Sequence, residues 1–188
     1  MSILKSAQAF EKLLNTEYRF ILGKKNKTIS LAIYFDASQF FHLTGLHYLK
    51  DRVSLLFGER KIIFDKILSG KITAEQIESS AFFPQIKERV EYLVHLESII
   101  DSNKTVFKYN PKIQTFSLIQ ADFLLKSDVD ARNVFVFLSQ DYCNGKYFCR
   151  SFFPQTDKDY SEKQQNWTLL YKCKVQNNCE TVLFNRLK

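Results

Sequence analysis

The hydrophobic periodicity of the chain changes near residue 105. Before this point, apolar residues recur at the spacing of an amphipathic helix, and after it they alternate with polar residues as in a half-buried strand. Helices followed by strands are typical of an α+β fold, in which N-terminal helices pack on a C-terminal antiparallel β-sheet. No internal repeat or Pro/Ser linker divides the chain, so we predict a single domain over residues 1–188.

The N-terminal part, residues 1–100, is predicted to be mainly helical with one strand at residues 29–35. Apolar residues at helical spacing predict an amphipathic helix over residues 3–21, and Gly23 is well placed to end it. Further helical segments are predicted at residues 51–57, 61–68, 73–79 and 85–100.

The C-terminal part, residues 105–185, is predicted to form the antiparallel sheet. Its runs of Val, Phe, Tyr, Thr and Leu are separated by turn residues. Asn144-Gly145, which lies between two such runs, is typical of a β-hairpin. The predicted strands are residues 105–109, 115–125, 133–139, 146–153, 167–175 and 181–185.

The charge balance is basic, with 27 Lys and Arg against 20 Asp and Glu and a formal net charge of +7. This excess favours a polyanionic partner, although it is modest and is spread over both halves of the chain. The chain has no apolar run of roughly 18 residues, the length that a membrane span needs. Its first residues lack the layout of a signal peptide. We therefore expect a cytoplasmic protein that has no membrane partner.

The sequence lacks the motifs of several common enzyme classes. It contains no glycine-rich phosphate loop, no G-x-G-x-x-G, no H-E-x-x-H and no G-x-S-x-G. The cysteines form two C-x5-C pairs, Cys143 with Cys149 and Cys173 with Cys179, and this spacing is wider than that of a structural zinc site. We expect reduced thiols, with Cys149 and Cys173 buried as small hydrophobic residues, and neither a metal nor a cofactor.

The main candidate for chemistry is the histidine-containing stretch that follows the predicted strand at 29–35. Asp36 or Ser38 can cap a short helix here, and His42 lies among phenylalanines. An imidazole in such surroundings can have a shifted pKa and can take a proton from a hydroxyl near neutral pH. The alternative is a structural histidine that is hydrogen-bonded at the edge of the core. The sequence leaves the role of His47 open.

Residues 30–46 read S-L-A-I-Y-F-D-A-S-Q-F-F-H-L-T-G-L. This text resembles the F-x-H-L-T-G-L signature of the phage barnase–EndoU–colicin–RelE-like nuclease group, and the fourth subfamily of that group is the most similar. Its members share an early motif, a helical middle and a strand-rich end. Later segments of the chain have the same character, namely residues 109–111, 121–125, 151–154 and 167–171.

The resemblance implies a metal-independent ribonuclease fold in which helices pack on a sheet of about four antiparallel strands. In such folds the active-site groups lie on the exposed face of the sheet and on a neighbouring helix. Cleavage of RNA without a metal needs a base for the 2′-hydroxyl, an acid for the 5′-oxygen and cations for the phosphorane. His42 matches the histidine of the motif and is predicted to be the catalytic base or acid.

Residues of the predicted sheet supply candidate cations. Arg150 shares a strand face with Phe148 and Phe152, where it suits a phosphate clamp or base stacking, and we predict a catalytic role for it. Ser151 can also bind phosphate, but strand alternation points it to the opposite face. Thr44 can donate a hydrogen bond to phosphate or cap its own turn. The lysines that can bind substrate, or that simply lie in solvent, are Lys126, Lys172 and Lys174.

A simple pair of catalytic histidines conflicts with the predicted helix. The strand half contains no histidine, so such a pair would need His42 and His47. Five residues of helix turn by about 500°, which puts the two side chains on different faces. Lys or Arg would then have to assist a single imidazole.

Two classes of function remain. The first is a toxin-like, metal-independent endoribonuclease of phage or mobile-element origin, which cleaves RNA, such as tRNA, by attack of the 2′-hydroxyl. An immunity protein is then an expected partner. The second class is a catalytically inactive protein of the nuclease fold, which binds RNA or inhibits a host-defence protein complex.

Overall fold

The computed structural model describes residues 2–114 and 116–187, so that Thr115, the first residue of one predicted strand, lies outside the described residues. The α-helices of these ranges are Ile3–Glu11 (α1), Ala37–Leu43 (α2), Arg60–Leu68 (α3), Ala74–Glu78 (α4), Lys87–Leu93 (α5) and Leu96–Ser102 (α6). Short 3-10 turns lie at Leu46–Tyr48, Lys50–Arg52, Phe83–Gln85 and Pro111–Ile113. None of the described helices is long and apolar enough to cross a lipid bilayer.

The strands agree with most of the predicted positions. The described strands are Thr16–Lys24 (β1), Lys27–Tyr34 (β2), Thr105–Lys108 (β3), Phe123–Val129 (β4), Arg132–Gln140 (β5), Tyr147–Pro154 (β6), Gln165–Gln176 (β7) and Cys179–Asn185 (β8). The predicted strand at residues 29–35 is confirmed as β2. The predicted turn at Asn144-Gly145 is also confirmed, since Gly145 has a φ of 73° between β5 and β6.

Seven of the described strands form a closed ring in the order β1-β2-β6-β5-β4-β3-β7, and β7 then pairs with β1. β8 extends the sheet along the second half of β7. The pairing of β2 with β6 is parallel, and it places Tyr34 opposite Phe148. The α+β class is therefore confirmed. The expected simple antiparallel sheet of C-terminal strands needs correction, because the ring includes two N-terminal strands and a parallel pair.

β1 replaces the second half of the helix that was predicted over residues 3–21. The helix ends at Glu11, and Tyr18, Phe20 and Leu22 are then buried at every second position. β1 pairs with β2 along one edge and with β7 along the other, so the closed sheet satisfies its backbone groups on both sides. The prediction thus extended the helix of the first residues into β1, where apolar residues recur at every second position.

Other predicted boundaries also differ from the structure. Gly23 lies within β1 and does not end a helix. The helix predicted at residues 85–100 is divided into α5 and α6, and residues 51–57 begin in a 3-10 turn and form no α-helix. β4 covers only the last part of the strand that was predicted at residues 115–125.

One apolar cluster joins the helices to one face of the sheet. Within it, Phe10 of α1 makes ring contacts with Phe35, Phe40 and Phe64, which tie α2 and α3 to the end of β2. α2 directly follows β2, and β2 pairs with β6. The fold therefore packs α2 against β6.

A second apolar cluster lies on the opposite face of β4 and β5. Phe153 of β6 stacks on Phe137, with ring centroids 5.5 Å apart, and Tyr160 packs edge-to-face against both rings. This aromatic cluster supports one wall of the candidate site. The buried members of this second apolar cluster are Tyr109, Leu124, Phe135 and Phe137.

Candidate active site

The His-Leu-Thr-Gly-Leu motif, residues 42–46, forms the end of α2 and a sharp turn. Thr44 is fully buried, and its hydroxyl donates to the carbonyl oxygen of Phe40 at 2.7 Å. It therefore closes the end of its own helix and is not open to a substrate. Gly45 has a φ of 80°, a left-handed conformation that favours glycine. The chain turns here, and the next 3-10 turn carries His47.

This turn brings two histidines together. The ring centroids of His42 and His47 are 5.0 Å apart, and the His47 ring lies 4.1 Å from that of Tyr48. The prediction that the two imidazoles lie on different faces assumed one continuous helix. It was wrong, because α2 ends at Leu43 and Gly45 redirects the chain.

His42 and Arg150 lie at the junction of two surface hollows and line both of them. The first hollow has a volume of about 480 Å³, and the second has a volume of about 560 Å³. Other residues of the first hollow include Tyr34, Asp36, Gln39, Arg60, Asp141 and Phe148. Other residues of the second hollow include His47, Tyr48, Arg89, Ser151, Phe153 and Tyr160.

A β-bulge explains how Arg150 and Ser151 reach the same hollow. Phe137 of β5 pairs with Ser151, but the next residue, Leu138, pairs with Cys149, so Arg150 is an extra residue in β6. A bulge of this kind interrupts the alternation of side chains. Ser151 therefore lines the second hollow together with Arg150, which corrects the prediction that it points away.

The bulge also changes which aromatic rings accompany Arg150. Phe148 lines the first hollow beside it, as the strand pattern predicts. Phe152, beyond the bulge, is fully buried in the main apolar cluster and is not on the face of Arg150.

Two further arginines approach the imidazoles from the helices. Arg60 of α3 lies 5.9 Å from the ring centre of Phe41 and lines the first hollow. Arg89 of α5 lies 5.5 Å from the ring centre of Tyr48 and 5.0 Å from that of Phe153, in the second hollow. The α2 motif, β6, α3 and α5 thus each contribute to one site.

The guanidinium groups of this site differ from that of Arg132 nearby. Arg132 forms a bidentate ion pair with Glu88, with N–O distances of 2.8 and 3.0 Å. Across residues 2–114 and 116–187, by contrast, Arg60, Arg89 and Arg150 form no ion pair with a carboxylate. The Glu88 carboxylate also lines the second hollow, but Arg132 already neutralises it. The second hollow therefore presents unneutralised positive charge to a ligand.

The surroundings lower the pKa values of both imidazoles. Burial lowers the pKa of His42 to about 4, and the charges of Arg60, His47 and Arg150 act in the same direction. Burial also lowers the pKa of His47, and Arg89 adds to that effect. Both rings are therefore neutral near pH 7 and can accept a proton. A bound anion would offset the guanidinium charges and raise both pKa values.

The predicted substrate-binding lysines lie away from this site and line neither hollow. Lys126 pairs with Asp159 at 2.8 Å, and Lys174 pairs with Glu97. Lys172 is only 1% exposed, and its ammonium group donates to backbone carbonyl oxygens at the end of α6. We therefore leave these lysines out of the candidate site.

Sequence reasoning missed several residues of the site and left His47 open. Arg60 and Arg89 come from helices that no local pattern connects to the motif. Gln39 precedes His42 by three positions, and this spacing places two side chains on one face of a helix. That spacing was the one available indication that Gln39 belongs to the site.

The structure also locates the cysteines. Cys149 and Cys173 are buried and Cys143 and Cys179 are exposed, all as free thiols. Burial raises the pKa of Cys149, which lines the first hollow, to about 12. In the part of the chain that the structure describes, no group of three or more His, Cys, Asp or Glu side chains is placed to hold a metal ion.

A mixed α+β fold whose surface joins paired imidazoles to guanidinium groups without ion-pair partners has the groups that a nuclease-like protein needs. The family model described as phage-Barnase-EndoU-ColicinE5/D-RelE like nuclease4 matches residues 2–187, and the chain belongs to this family. The resemblance carried by the His-Leu-Thr-Gly-Leu motif is thereby confirmed. No curated protein and no solved structure matched the chain.

Proposed function

We propose that the protein is a metal-independent endoribonuclease that cleaves RNA by attack of the 2′-hydroxyl on the adjacent phosphate. The observation that carries this proposal is the pair of imidazoles, 5.0 Å apart, at the junction of two hollows lined by unneutralised arginines. A phosphate seated between His42 and Arg150 would meet a proton acceptor and a cation at once. Those are the groups that the reaction requires.

His42 is proposed as the general base. Its depressed pKa keeps the ring neutral at physiological pH, so that a lone pair is available for the 2′-hydroxyl proton. The 2′-oxygen then bonds to phosphorus, and the bond from phosphorus to the 5′-oxygen breaks. The products are a 2′,3′-cyclic phosphate and a free 5′-hydroxyl.

His47 is proposed as the general acid that protonates the leaving 5′-oxygen. It is more exposed than His42. The negative charge of the bound phosphate raises the pKa of His47, so that the ring can carry the proton that it donates. The guanidinium groups of Arg89 and Arg150 stabilise the charge that develops on the phosphorane oxygens. Ser151 is placed in the second hollow to donate a further hydrogen bond.

The direct test is an RNA-cleavage assay with the purified full chain in excess EDTA, with bulk tRNA as substrate. We expect discrete products with 2′,3′-cyclic phosphate and 5′-hydroxyl ends. A matched oligonucleotide with a 2′-O-methyl group at the cleaved position should remain intact, because it has no attacking hydroxyl. RNA that is retained in a salt-dependent manner, but never cut, would instead identify a catalytically inactive RNA-binding protein.

The family description also bears on the biological setting, since it refers to phage, colicin and RelE-like nucleases. We propose a toxin-like protein of phage or mobile-element origin that an immunity protein restrains. Induced expression in bacteria should then arrest growth together with fragmentation of RNA. Growth arrest with intact RNA would favour a protein target, such as a host-defence complex.

A further inference from the structure

Gln39 lines the first hollow and has an unusual environment. Its side chain is only 8% exposed, and its amide oxygen Oε1 is buried without a hydrogen-bond partner. Its amide nitrogen donates no hydrogen bond to any described residue. A buried polar group without a partner costs free energy unless a ligand satisfies it. Gln39 also lies one helical turn before His42, so both face the same hollow.

Two aromatic rings, tilted by 58° relative to each other, line the same hollow as this amide. Tyr34 and Phe148 are neighbours on the paired strands β2 and β6, and their ring centroids are 6.5 Å apart. Both rings are half-buried and line the first hollow. The Tyr34 hydroxyl donates to Asp141 at 2.9 Å, which fixes the orientation of the ring. Aromatic faces of this kind stack on unpaired bases of RNA.

The first hollow also carries a carboxylate with spare acceptor capacity. Oδ1 of Asp36 accepts from the backbone and the hydroxyl of Ser38, whereas Oδ2 has no partner within the described ranges. Asp141 differs, because both of its oxygens accept bonds from neighbouring groups. Asp36 is the N-cap of α2, three positions before Gln39, and both side chains line the first hollow.

We propose that the first hollow is a nucleobase pocket that selects guanine next to the cleaved phosphate. This inference rests on the proposed function, because it takes the anion at the junction to be a phosphate of RNA. The pairing edge of guanine presents one acceptor and two adjacent N–H donors. The Gln39 amide can bond to the acceptor O6 and the donor N1–H, while Asp36 accepts from the 2-amino group.

Other bases fit this set of groups less well. Uracil places carbonyl oxygens on both sides of its single N–H, so one of them would face the Asp36 carboxylate. Adenine and cytosine can bond to the amide of Gln39 but offer no second donor to Asp36. In the first hollow the carboxylates of Asp36 and Asp141 offset the charges of Arg60 and Arg150. In the second hollow the Glu88 carboxylate is already paired with Arg132, so the phosphate is expected there, beside Arg89 and Arg150.

The test is to measure the binding of the four nucleoside 3′-monophosphates and of inorganic phosphate to the intact chain by titration calorimetry. We expect all of them to bind, with guanosine 3′-monophosphate at least about tenfold tighter than the others. In Gln39→Leu this preference should disappear while the affinity for inorganic phosphate stays the same. Gln8→Leu, which alters an exposed glutamine of α1, should keep the preference.

Two further measurements keep the outcomes separate. Phe148→Leu should weaken all four nucleotides by a similar factor, because stacking does not depend on base identity. Equal binding of the four nucleotides, unchanged in Gln39→Leu, would overturn the base pocket and leave the nuclease proposal intact. If the protein preferred another base and Gln39→Leu abolished that preference, the selection of guanine would be wrong but the base pocket would stand. No binding of any phosphate would overturn the proposed function itself.

Discussion

Two regions of the molecule contain cationic side chains in different surroundings: the buried Lys172 in β7 and the arginines beside His42. They differ in the hydrogen-bond acceptors that surround the cations. Lys172 is buried in β7, where its ammonium group donates to the carbonyl oxygens of Ile100, Asp101 and Asn103, each at 2.7 Å. The hollows beside His42 contain the guanidinium groups of Arg60, Arg89 and Arg150, which form no ion pair within the described chain. The fold thus places hydrogen-bond acceptors around the Lys172 ammonium group but no ion-pair partner beside the guanidinium groups.

The difference separates a structural cation from a binding site. A buried charge is tolerated when it is fully hydrogen-bonded, and it then stabilises the segments that supply its acceptors. A group of cations without acceptors repels itself and depresses the pKa of neighbouring imidazoles, which costs stability. An RNA phosphate would supply the missing negative charge. The comparison predicts that changes at His42 affect activity, whereas changes at Lys172 affect folding.

The largest expected effect is on cleavage. His42→Ala should lower the cleavage rate by about 10²- to 10⁴-fold, the usual contribution of a general base, and should not lower the thermal midpoint. Cleavage of a labelled tRNA substrate and the melting temperature would be measured together. His95→Ala changes a histidine that lines neither hollow and should keep full activity. Equal rates in the two variants would remove His42 from the mechanism.

The next effect is on folding. Lys172→Met should lower the free energy of unfolding by about 3 kcal/mol, because backbone carbonyl oxygens at the end of α6 lose their donor. Urea denaturation would measure the change. Lys104→Met, at an exposed position nearby, should change it by less than about 0.5 kcal/mol. If Lys172→Met were as stable as the control, Lys172 would not be a structural cation and the proposed difference between the two regions would be wrong.

A smaller effect concerns pH. Because burial lowers the pKa of His42 from 6.5 to about 4, the unfolded chain binds a proton between these pH values that the folded chain does not. The free energy of unfolding therefore falls as the pH is lowered from 6.5 to 4, by roughly 2 kcal/mol once solvent screening of the partly exposed ring is allowed for. Urea denaturation of wild type and His42→Gln at several pH values would isolate this part. Identical pH profiles for the two proteins would contradict the depressed pKa.

The smallest effect concerns one guanidinium group. Arg89→Met should weaken binding of inorganic phosphate about fivefold to tenfold, because a charge-assisted hydrogen bond is lost. Its effect on stability should stay below about 1 kcal/mol, since the Arg89 guanidinium forms cation–π contacts but no hydrogen bond or ion pair with a described residue, and Met can replace the packing of the stem. Titration calorimetry would measure the affinity. Arg186→Met, whose guanidinium also lies over an aromatic ring but outside both hollows, is the matched control.

Local patterns predicted much of the fold but only part of the site. The alternation in β2, the turn at Gly145 and the capping group Asp36 depend on neighbouring residues, so the sequence shows them directly. The prediction failed where distant partners decide the outcome. β1 is a strand because β2 and β7 bond to both of its edges, which overrides the helical spacing before it.

The sequence by itself determined the α+β order of the chain, the motif that contains His42 and the presence of Arg150 on a strand. Only the tertiary structure decided that the His47 ring lies beside that of His42 and that a bulge in β6 places Ser151 in the same hollow as Arg150. It also decided which cations are neutralised. The physical reason is range: periodicity and turns arise from contacts within a few residues, whereas the partner of a charge such as Lys172 lies about seventy positions away in the chain.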